Sequence, residues 1–193
     1  LQPVTGSIAD IAASIFGLFY LGFLPSHWIK LRNLLESDFK NNVNLIPSDW
    51  PSSITFGMLI TFATCLMIVG FDIGSYFVGK NFGNHSLSPI SPSKTIEGAF
   101  GGLIFSILIG VSCGYLLRWE FGILIGFFIG ILVALFSLVG DLTESMMKRN
   151  AGIKDSGNFL PGHGGILDRI DSYLFTPAIV FYIVILLSPL ISS

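Results

Sequence analysis

Residues 121–140 read FGILIGFFIGILVALFSLVG, which is twenty consecutive residues without a charged side chain. A stretch of this length and composition can cross the hydrocarbon layer of a bilayer as a helix. Four further apolar stretches lie at about 7–25, 54–78, 98–117 and 173–190. Because lipid offers the backbone no hydrogen-bond partners, an open chain crosses it only as a helix. The sequence therefore predicts an all-α, polytopic transmembrane bundle with five spanning helices.

The composition of the whole chain agrees with a membrane protein. Of the 193 residues, 52% are hydrophobic and only 11% are charged, whereas about 25% are charged in soluble domains. The net charge of −2 argues against nucleic acid as a partner, because binding a phosphate backbone requires a basic surface. Cys65 and Cys113 lie inside apolar stretches and lack metal-ligand spacing, so we interpret them as small buried residues. Membrane lipid is the partner that this composition predicts.

A single membrane-embedded domain over residues 1–193 is sufficient, since the chain has no internal repeat and no low-complexity linker. The chain starts at Leu1 without a cleavable signal, which favours a piece of a longer protein with further spans before it. Glycines spaced four apart let helices approach closely in lipid; they are Gly110, Gly114, Gly122, Gly126 and Gly130. We expect these faces to pack within the bundle, and a homodimer interface is the less favoured alternative.

Five spans place alternate connections on opposite sides of the membrane. The 79–97 and 141–172 connections share one side and carry six Lys or Arg residues, whereas 26–53 and 118–120 share the other side and carry four. Cytoplasmic connections carry an excess of Lys and Arg. We therefore predict an integral membrane protein whose site faces the cytoplasm, in the inner or plasma membrane if the source is bacterial.

Two polar features lie in the second span and in the connection that follows it. Asp72 falls within the second span, where a carboxylate is costly and usually faces a polar cavity; contact with headgroups at the end of the span is the alternative. Residues 91–98 read SPSKTIEG, and the hydroxyls of Ser91 and Thr95 flank the ammonium of Lys94. Such donors at a helix start suit a phosphate. The same segment could instead only cap the helix, and the pattern alone does not separate the two.

The connection after the fourth span is rich in acids. Residues 140–149 read GDLTESMMKR, and residues 161–171 read PGHGGILDRID. Helical spacing puts Asp141, Glu144 and Ser145 on one face, and Asp168 and Asp171 on another. Carboxylates gathered in this way repel each other, and a hard divalent cation relieves the repulsion through oxygen ligands. Mg²⁺ fits so few acids, because it also keeps waters and binds substrate phosphates.

Cations stand among these acids, at Lys148, Arg149, Lys154 and Arg169. Phosphoryl and nucleotidyl transfer depend on positioning and charge stabilisation, so metal and cations together match that chemistry. The glycines of residues 161–165 predict a tight turn that lets backbone approach a ligand. We interpret His163 as a ligand-positioning residue, and His27 and His85 as plain loop residues. A salt-bridged surface loop is the alternative for the whole segment.

The segment closely resembles the C-terminal signature of the phosphatidate cytidylyltransferase (CDP-diacylglycerol synthase) family. That signature runs Ser-x-apolar-Lys-Arg, four residues, Lys-Asp, and ends in Pro-x-His-Gly-Gly-apolar-x-Asp-Arg-apolar-Asp. This chain meets it without a gap from Ser145 to Asp171. The surroundings of Asp72 and the 91–98 segment also look like those of the family. Where many members have Lys and Trp, this chain has Ser93 and Ile96.

The resemblance implies an enzyme of phospholipid biosynthesis that converts CTP and phosphatidate to CDP-diacylglycerol and diphosphate. It implies Mg²⁺ held by Asp141 and Asp168, with Asp171 next, and a monovalent cation such as K⁺ beside the Mg²⁺. We expect the following catalytic residues: Lys94, Lys148, Arg149, Lys154, Asp155, His163 and Arg169. We expect the following residues to bind substrate: Asp72, Ser91, Thr95, Glu144, Ser145, Gly164 and Gly165.

Other functions fit the sequence less well. A related CTP-using enzyme could act on an ether-lipid phosphate or a polyprenyl alcohol, and the residues do not distinguish the lipid tails. The CDP-alcohol phosphotransferases are excluded because their Asp-Gly-x-x-Ala-Arg motif is missing. A transporter or channel would place polar residues at mid-span. The stretches 98–117, 121–140 and 173–190 contain no Asp, Glu, Lys, Arg or His, which argues against a charged pathway.

Overall fold

The chain folds into a helical bundle, described here by a computed structural model over residues 7–34, 46, 50–51, 53–117, 121–157 and 164–191. The helices are α1 (Ile8–Leu18), α2 (Leu24–Arg32), α3 (Phe56–Phe82), α4 (Ile96–Leu116), α5 (Gly122–Asn150), α6 (Leu167–Ile170) and α7 (Ser172–Ile191). A π-helical turn (Phe19–Phe23) joins α1 to α2, and strands β1 (Ser86–Ser88) and β2 (Ser91–Thr95) precede α4.

Five helical segments of the described residues are long and apolar enough to cross a membrane. They are Ile8–Arg32, Phe56–Phe82, Ile96–Leu116, Gly122–Asn150 and Leu167–Leu187. The predicted five-span all-α bundle is therefore confirmed. Among the described residues, the helices are joined by a small antiparallel hairpin, in which Ser86 pairs with Thr95 and Ser88 with Ser91.

Side-chain hydroxyls set where three of these helices begin. Ser7 caps α1 and forms a reciprocal pair with Asp10. Thr55 accepts a hydrogen bond from the Met58 N–H at the start of α3, and Thr95 accepts one from the Gly98 N–H at the start of α4. Such caps satisfy backbone N–H groups that have no partner within the helix.

The middle of the bundle is held by apolar packing and by close contact between glycine backbones. The main buried cluster includes Leu31, Phe56, Ile60, Met67, Ile68, Ile125, Ile129, Val133, Val180 and Val184. Gly110 lies against the Gly126 backbone, and Gly114 against that of Gly122, so that a Cβ at Gly110, Gly114 or Gly126 would collide. These glycine faces pack α4 against α5, which confirms their predicted role within the bundle. Large apolar side chains on the outer helix faces are exposed, as suits a lipid environment.

Two helices extend beyond their predicted spans. The first spanning segment continues to Arg32 instead of ending near residue 25, so the interpretation of His27 as a loop residue is wrong. Its ring is fully buried, with Nδ1 3.0 Å from the Phe23 carbonyl and Nε2 3.4 Å from the Tyr182 hydroxyl. Likewise, α5 continues to Asn150. Asp141 and Glu144, predicted to lie in a loop, are therefore on a helix. Ion pairs with Lys94 and Lys148 compensate their charges.

The hairpin and the C-terminal end of α5 meet at the same end of the bundle. The Arg149 Nε donates a hydrogen bond to the Ile90 carbonyl at the hairpin turn, at 3.3 Å. Lys94 of β2 forms an ion pair with Asp141 of α5. The prediction that the 79–97 and 141–172 connections share one side is thereby confirmed.

Candidate active site

Four acidic side chains meet in pairs at this end of the bundle. Asp141 and Glu144 lie three residues apart on α5, and Asp168 and Asp171 lie three apart at α6 and the start of α7. The Ser172 N–H donates to Asp171 and its hydroxyl donates to Asp141, while Lys148 bridges Glu144 and Asp168. We call Asp141 with Asp171 the inner pair and Glu144 with Asp168 the outer pair. Because the acids are three residues apart in both segments, the two pairs lie side by side.

A glycine allows the inner pair to form. A Cβ added at Gly140 would collide with the backbone carbonyl of Asp171, so its absence lets the start of α7 pack directly on α5. The Ser172 hydroxyl then donates to Asp141 Oδ1 at 2.6 Å and lies 3.4 Å from Asp72 Oδ1. Ser172 thus links a third carboxylate, from α3, to the inner pair.

The side chains that meet at the inner pair bring together more negative than positive charges. Three carboxylates meet there, and Lys94 forms an ion pair with Asp141. Asp141 is mostly buried, with 14% of its side chain exposed, so water screens this charge poorly. An additional cation would relieve the repulsion between the carboxylates.

Protein donors surround the outer pair more completely. The Lys148 ammonium lies 2.6 Å from Glu144 Oε2 and 2.7 Å from Asp168 Oδ1. Asp168 Oδ2 accepts hydrogen bonds from the Ser156 N–H and hydroxyl, both at 2.9 Å, and from the Gly165 N–H at 2.7 Å. Asp168 therefore also ties the segment after α5 to the start of α6.

The two glycines expected to bind substrate shape this turn in the structure. Gly164 has a φ of +80°, a conformation that side chains disfavour. A Cβ at Gly165 would collide with Ser156. Both glycines therefore let the backbone approach Asp168 and Ser156.

A cavity of about 310 Å³ opens beside Asp141, between α3, the hairpin, α4 and α5. Two lysines, Lys80 and Lys94, line it. Further lining residues are Phe71, Ser75, Tyr76, Gly79, Leu87, Ser93, Thr95, Gly98, Ala99, Leu138 and Asp141. Two ammonium groups and several hydroxyls are donors for a phosphate, and the apolar lining suits the neighbouring part of a lipid. Thr95 also caps α4, so its residue type has a structural reason as well.

The remaining predicted site residues lie at several separate places in the structure. Ser91 is buried at the start of β2, and Ser145 is half-buried on α5. Arg149 holds the hairpin turn through the Ile90 carbonyl. Lys154 and Asp155 are exposed after α5, and Arg169 is exposed on α6. His163 lies outside the described residues.

The donor set at the two acid pairs fits a hard divalent cation. No group of three or more His, Cys, Asp or Glu side chains among the described residues has the geometry of a metal site. Mg²⁺, however, is commonly held by one or two carboxylates together with waters and substrate phosphates. Asp141 with Asp171, and Asp168 with Glu144, supply such oxygens two carboxylates at a time. Lys94 and Lys148 bind carboxylate oxygens that a metal ion would otherwise use.

Sequence reasoning missed two polar side chains at this site. Ser172 follows Asp171 directly, so a hydroxyl adjoining the last acid of the signature was the available signal. Tyr20 lies in a stretch that reads as uniformly apolar, and nothing in that pattern marks it. In the structure it is buried near the acid pairs, and its hydroxyl has no hydrogen-bond partner among the described residues.

Comparison with known proteins identifies the family of this chain. The model of the family described as "Cytidylyltransferase family" matches residues 1–187. This chain belongs to the cytidylyltransferase family. Similar family members include the phosphatidate cytidylyltransferase of Synechocystis, 46% identical over 100% of this chain and 68% of that protein.

Two other members of the cytidylyltransferase family come from different lineages. The chloroplastic phosphatidate cytidylyltransferase 5 of Arabidopsis thaliana is 41% identical over 94% of this chain and 46% of that protein. The phosphatidate cytidylyltransferase of Bacillus subtilis is 35% identical over 95% of this chain and 62% of that protein. The chain thus spans between about half and two thirds of the length of these relatives.

Proposed function

We propose that this protein is a phosphatidate cytidylyltransferase, which makes CDP-diacylglycerol and diphosphate from CTP and phosphatidate. The relatives that carry this name match nearly the whole chain. The observation that carries the proposal is the acidic cluster beside a lysine-lined cavity at one end of a membrane bundle. Nucleotidyl transfer between a lipid phosphate and a triphosphate requires such a combination of anionic metal ligands and cationic phosphate ligands.

The cavity beside Asp141 is the proposed site of the lipid phosphate. Lys80 and Lys94 neutralise the phosphate, and hydroxyls of the hairpin and α3 donate hydrogen bonds to it. The apolar lining contacts the glycerol end of the acyl chains. A phosphate oxygen then attacks the α-phosphorus of CTP, and the bond between the α- and β-phosphates breaks as diphosphate leaves.

Mg²⁺ is the proposed divalent cation, held by Asp141 and Asp168 with Asp171 beside them. When bound, it neutralises charge on the triphosphate and on the leaving diphosphate. A bound cation would replace the ion pairs of Lys94 with Asp141 and of Lys148 with Asp168. Both ammonium groups would then be free to contact phosphate oxygens. A monovalent cation such as K⁺ beside it is part of the same proposal, as is a site that faces the cytoplasm.

Label transfer distinguishes this reaction from phosphorylation by a lipid kinase. The membrane-embedded protein is incubated with phosphatidate, Mg²⁺ and CTP labelled at either the α- or the γ-phosphate. Label should enter the lipid phase from α-labelled CTP only, and only when phosphatidate is present. Transfer of the γ-label to lipid would contradict the proposal.

The side of the membrane can be tested separately. Single cysteines at Asn84 and Ser156, in a protein that lacks Cys65 and Cys113, should react together with an impermeant thiol reagent only after the cytoplasmic face is opened. Reaction in intact cells would place the site on the other face.

A further inference from the structure

The first spanning segment carries a local distortion that turns one polar side chain inward. In the π-helical turn Phe19–Phe23, the Leu24 N–H bonds to the Phe19 carbonyl, five residues back. Pro25 follows and has no N–H to continue the regular ladder. Such turns often occur at functional sites. Here Phe19 and Leu21 point outward, whereas Tyr20 is only 1% exposed.

Apolar contacts hold the Tyr20 ring firmly in the bundle. It stacks on Phe16, with the ring centroids 5.4 Å apart, and contacts Phe175 at 5.6 Å. It also belongs to a buried cluster with Leu24 and Leu174. A phenylalanine would satisfy all of these contacts. The hydroxyl of Tyr20 therefore needs a separate explanation.

That hydroxyl is buried without a hydrogen-bond partner among the described residues. The buried cluster that holds its ring packs against Met147, one helical turn beyond Glu144 on α5, and against Leu167, which precedes Asp168. One oxygen of the acid pairs is in the same condition, since Glu144 Oε1 is buried without a partner among the described residues while Oε2 contacts Lys148. Leaving a buried polar group unsatisfied costs the free energy of its desolvation. A tyrosine hydroxyl donates and a carboxylate oxygen accepts, so these two unpartnered groups are complementary.

We propose that Tyr20 is a positioning residue whose hydroxyl donates a hydrogen bond to Glu144 Oε1 when the acid pairs bind their divalent cation. Without the cation, Lys148 draws Glu144 towards itself through Oε2. A cation at the acid pairs attracts the same carboxylate and thereby weakens its ion pair with Lys148. The carboxylate can then turn towards Tyr20. The new bond fixes the outer pair in its cation-binding orientation. This inference rests on the proposed Mg²⁺ requirement, and it adds a residue from the first span to the site.

The substitution Tyr20→Phe tests the proposal because it removes a single oxygen. Thermal unfolding of the detergent-solubilised protein is followed during a titration with MgCl₂, which requires no turnover. Without Mg²⁺, the variant should unfold at the same or a higher temperature than the wild type, because the lost hydroxyl had no partner. The Mg²⁺ concentration for half-maximal stabilisation should rise about 10- to 100-fold, as is typical when a hydrogen bond behind a metal ligand is lost.

Tyr182→Phe is the matched control, since its hydroxyl contacts His27 at 3.4 Å and Tyr182 lies three helical turns beyond Asp171. It should leave the Mg²⁺ titration unchanged. The pairing with Glu144 is tested by a double-mutant cycle. In a Glu144→Leu background, which offers the Tyr20 hydroxyl no acceptor at this position, Tyr20→Phe should add less than about a two-fold further change in Mg²⁺ requirement.

Three results would overturn the inference. One is a Mg²⁺ titration of Tyr20→Phe within two-fold of the wild type. Another is a lower unfolding temperature of this variant without Mg²⁺, because the hydroxyl would then serve the metal-free fold. The third is an undiminished Tyr20→Phe effect in the Glu144→Leu protein, because Tyr20 would then act through another group. Loss of the proposed function would appear instead as absent α-label transfer by the wild type.

Discussion

The two halves of α5 present one continuous face to the bundle but use it differently. Between residues 122 and 140, the apolar half, this face consists of Gly122, Gly126 and Gly130 with apolar side chains between them. In the charged half, residues 141–150, the same face continues to the fully buried Glu144. The first half brings backbones into contact, and the second brings carboxylates from three helices together. One helix therefore fixes the position of the site relative to the membrane core.

The largest expected effect is that of a charge removed from the charged half. Asp141→Asn keeps the shape of the side chain but removes the charge that pairs with Lys94 and that would bind Mg²⁺. Turnover should fall at least about 1000-fold, by analogy with the loss of other charge-stabilising groups, while the protein stays folded in detergent. Asp10→Asn, at the exposed start of α1, is the control and should keep full activity. Activity of Asp141→Asn within a few-fold of wild type would remove Asp141 from the metal site.

A substitution at the border between the halves should affect catalysis more than stability. At Gly140→Ala, the new Cβ meets the Asp171 carbonyl and pushes α7 away from α5. A displacement of about 1 Å at a catalytic site can cost about 100-fold in rate, so kcat should fall by about that factor. Unfolding temperature and kcat are measured together. Unchanged kcat would show that close contact of α5 and α7 is not needed for the inner pair.

A substitution in the apolar half should affect stability more than catalysis. Gly126→Ala forces a Cβ against the Gly110 backbone, and overpacking of this kind typically costs about 1–3 kcal/mol. The unfolding temperature should therefore fall while kcat per folded molecule changes little. Gly17→Ala is the matched control, because no atom lies within 4 Å of its added Cβ. Equal stability of the two variants would contradict the packing described for α4 and α5.

The smallest expected effect concerns the end of the charged half. Arg149→Gln removes a hydrogen bond to the Ile90 carbonyl, and a single bond of this kind is worth about 0.5–1.5 kcal/mol. The KM for phosphatidate should rise about 2- to 10-fold as the hairpin loosens, with kcat retained. Arg32→Gln, which loses a similar bond to Thr55, should leave KM unchanged. Loss of kcat in Arg149→Gln would instead support the sequence prediction that Arg149 is catalytic.

The same contrast explains what the sequence could predict. The composition of the apolar half predicts a spanning helix, because twenty uncharged residues have no other stable form in lipid. The acids at 141, 144, 168 and 171 were readable as a cluster from helical spacing and from the signature. Their division into two pairs was not readable, because it depends on Gly140 letting α7 pack on α5.

Other features required three-dimensional contacts. Along the charged part of α5, Asp141 pairs with Lys94 and accepts a hydrogen bond from the Ser172 hydroxyl, and both partners come from distant segments. Tyr20 could not be singled out because an isolated tyrosine in an apolar stretch is ordinary, and neither its π-helical turn nor its burial is readable from the sequence. Ser172 gained its role from the approach of Asp72 on another helix. Each of these residues acts through a partner far away in sequence.

Binding of Mg²⁺ tests most directly the claim that the charged half of α5 forms a cation-dependent site. Thermal unfolding of the wild type, Asp141→Asn and Asp10→Asn is measured over a range of MgCl₂ concentrations, with NaCl added to keep the ionic strength constant. The account predicts saturable stabilisation of the wild type and of Asp10→Asn, and none of Asp141→Asn. Equal stabilisation of all three proteins, or of none, would contradict a Mg²⁺ site at the acid pairs.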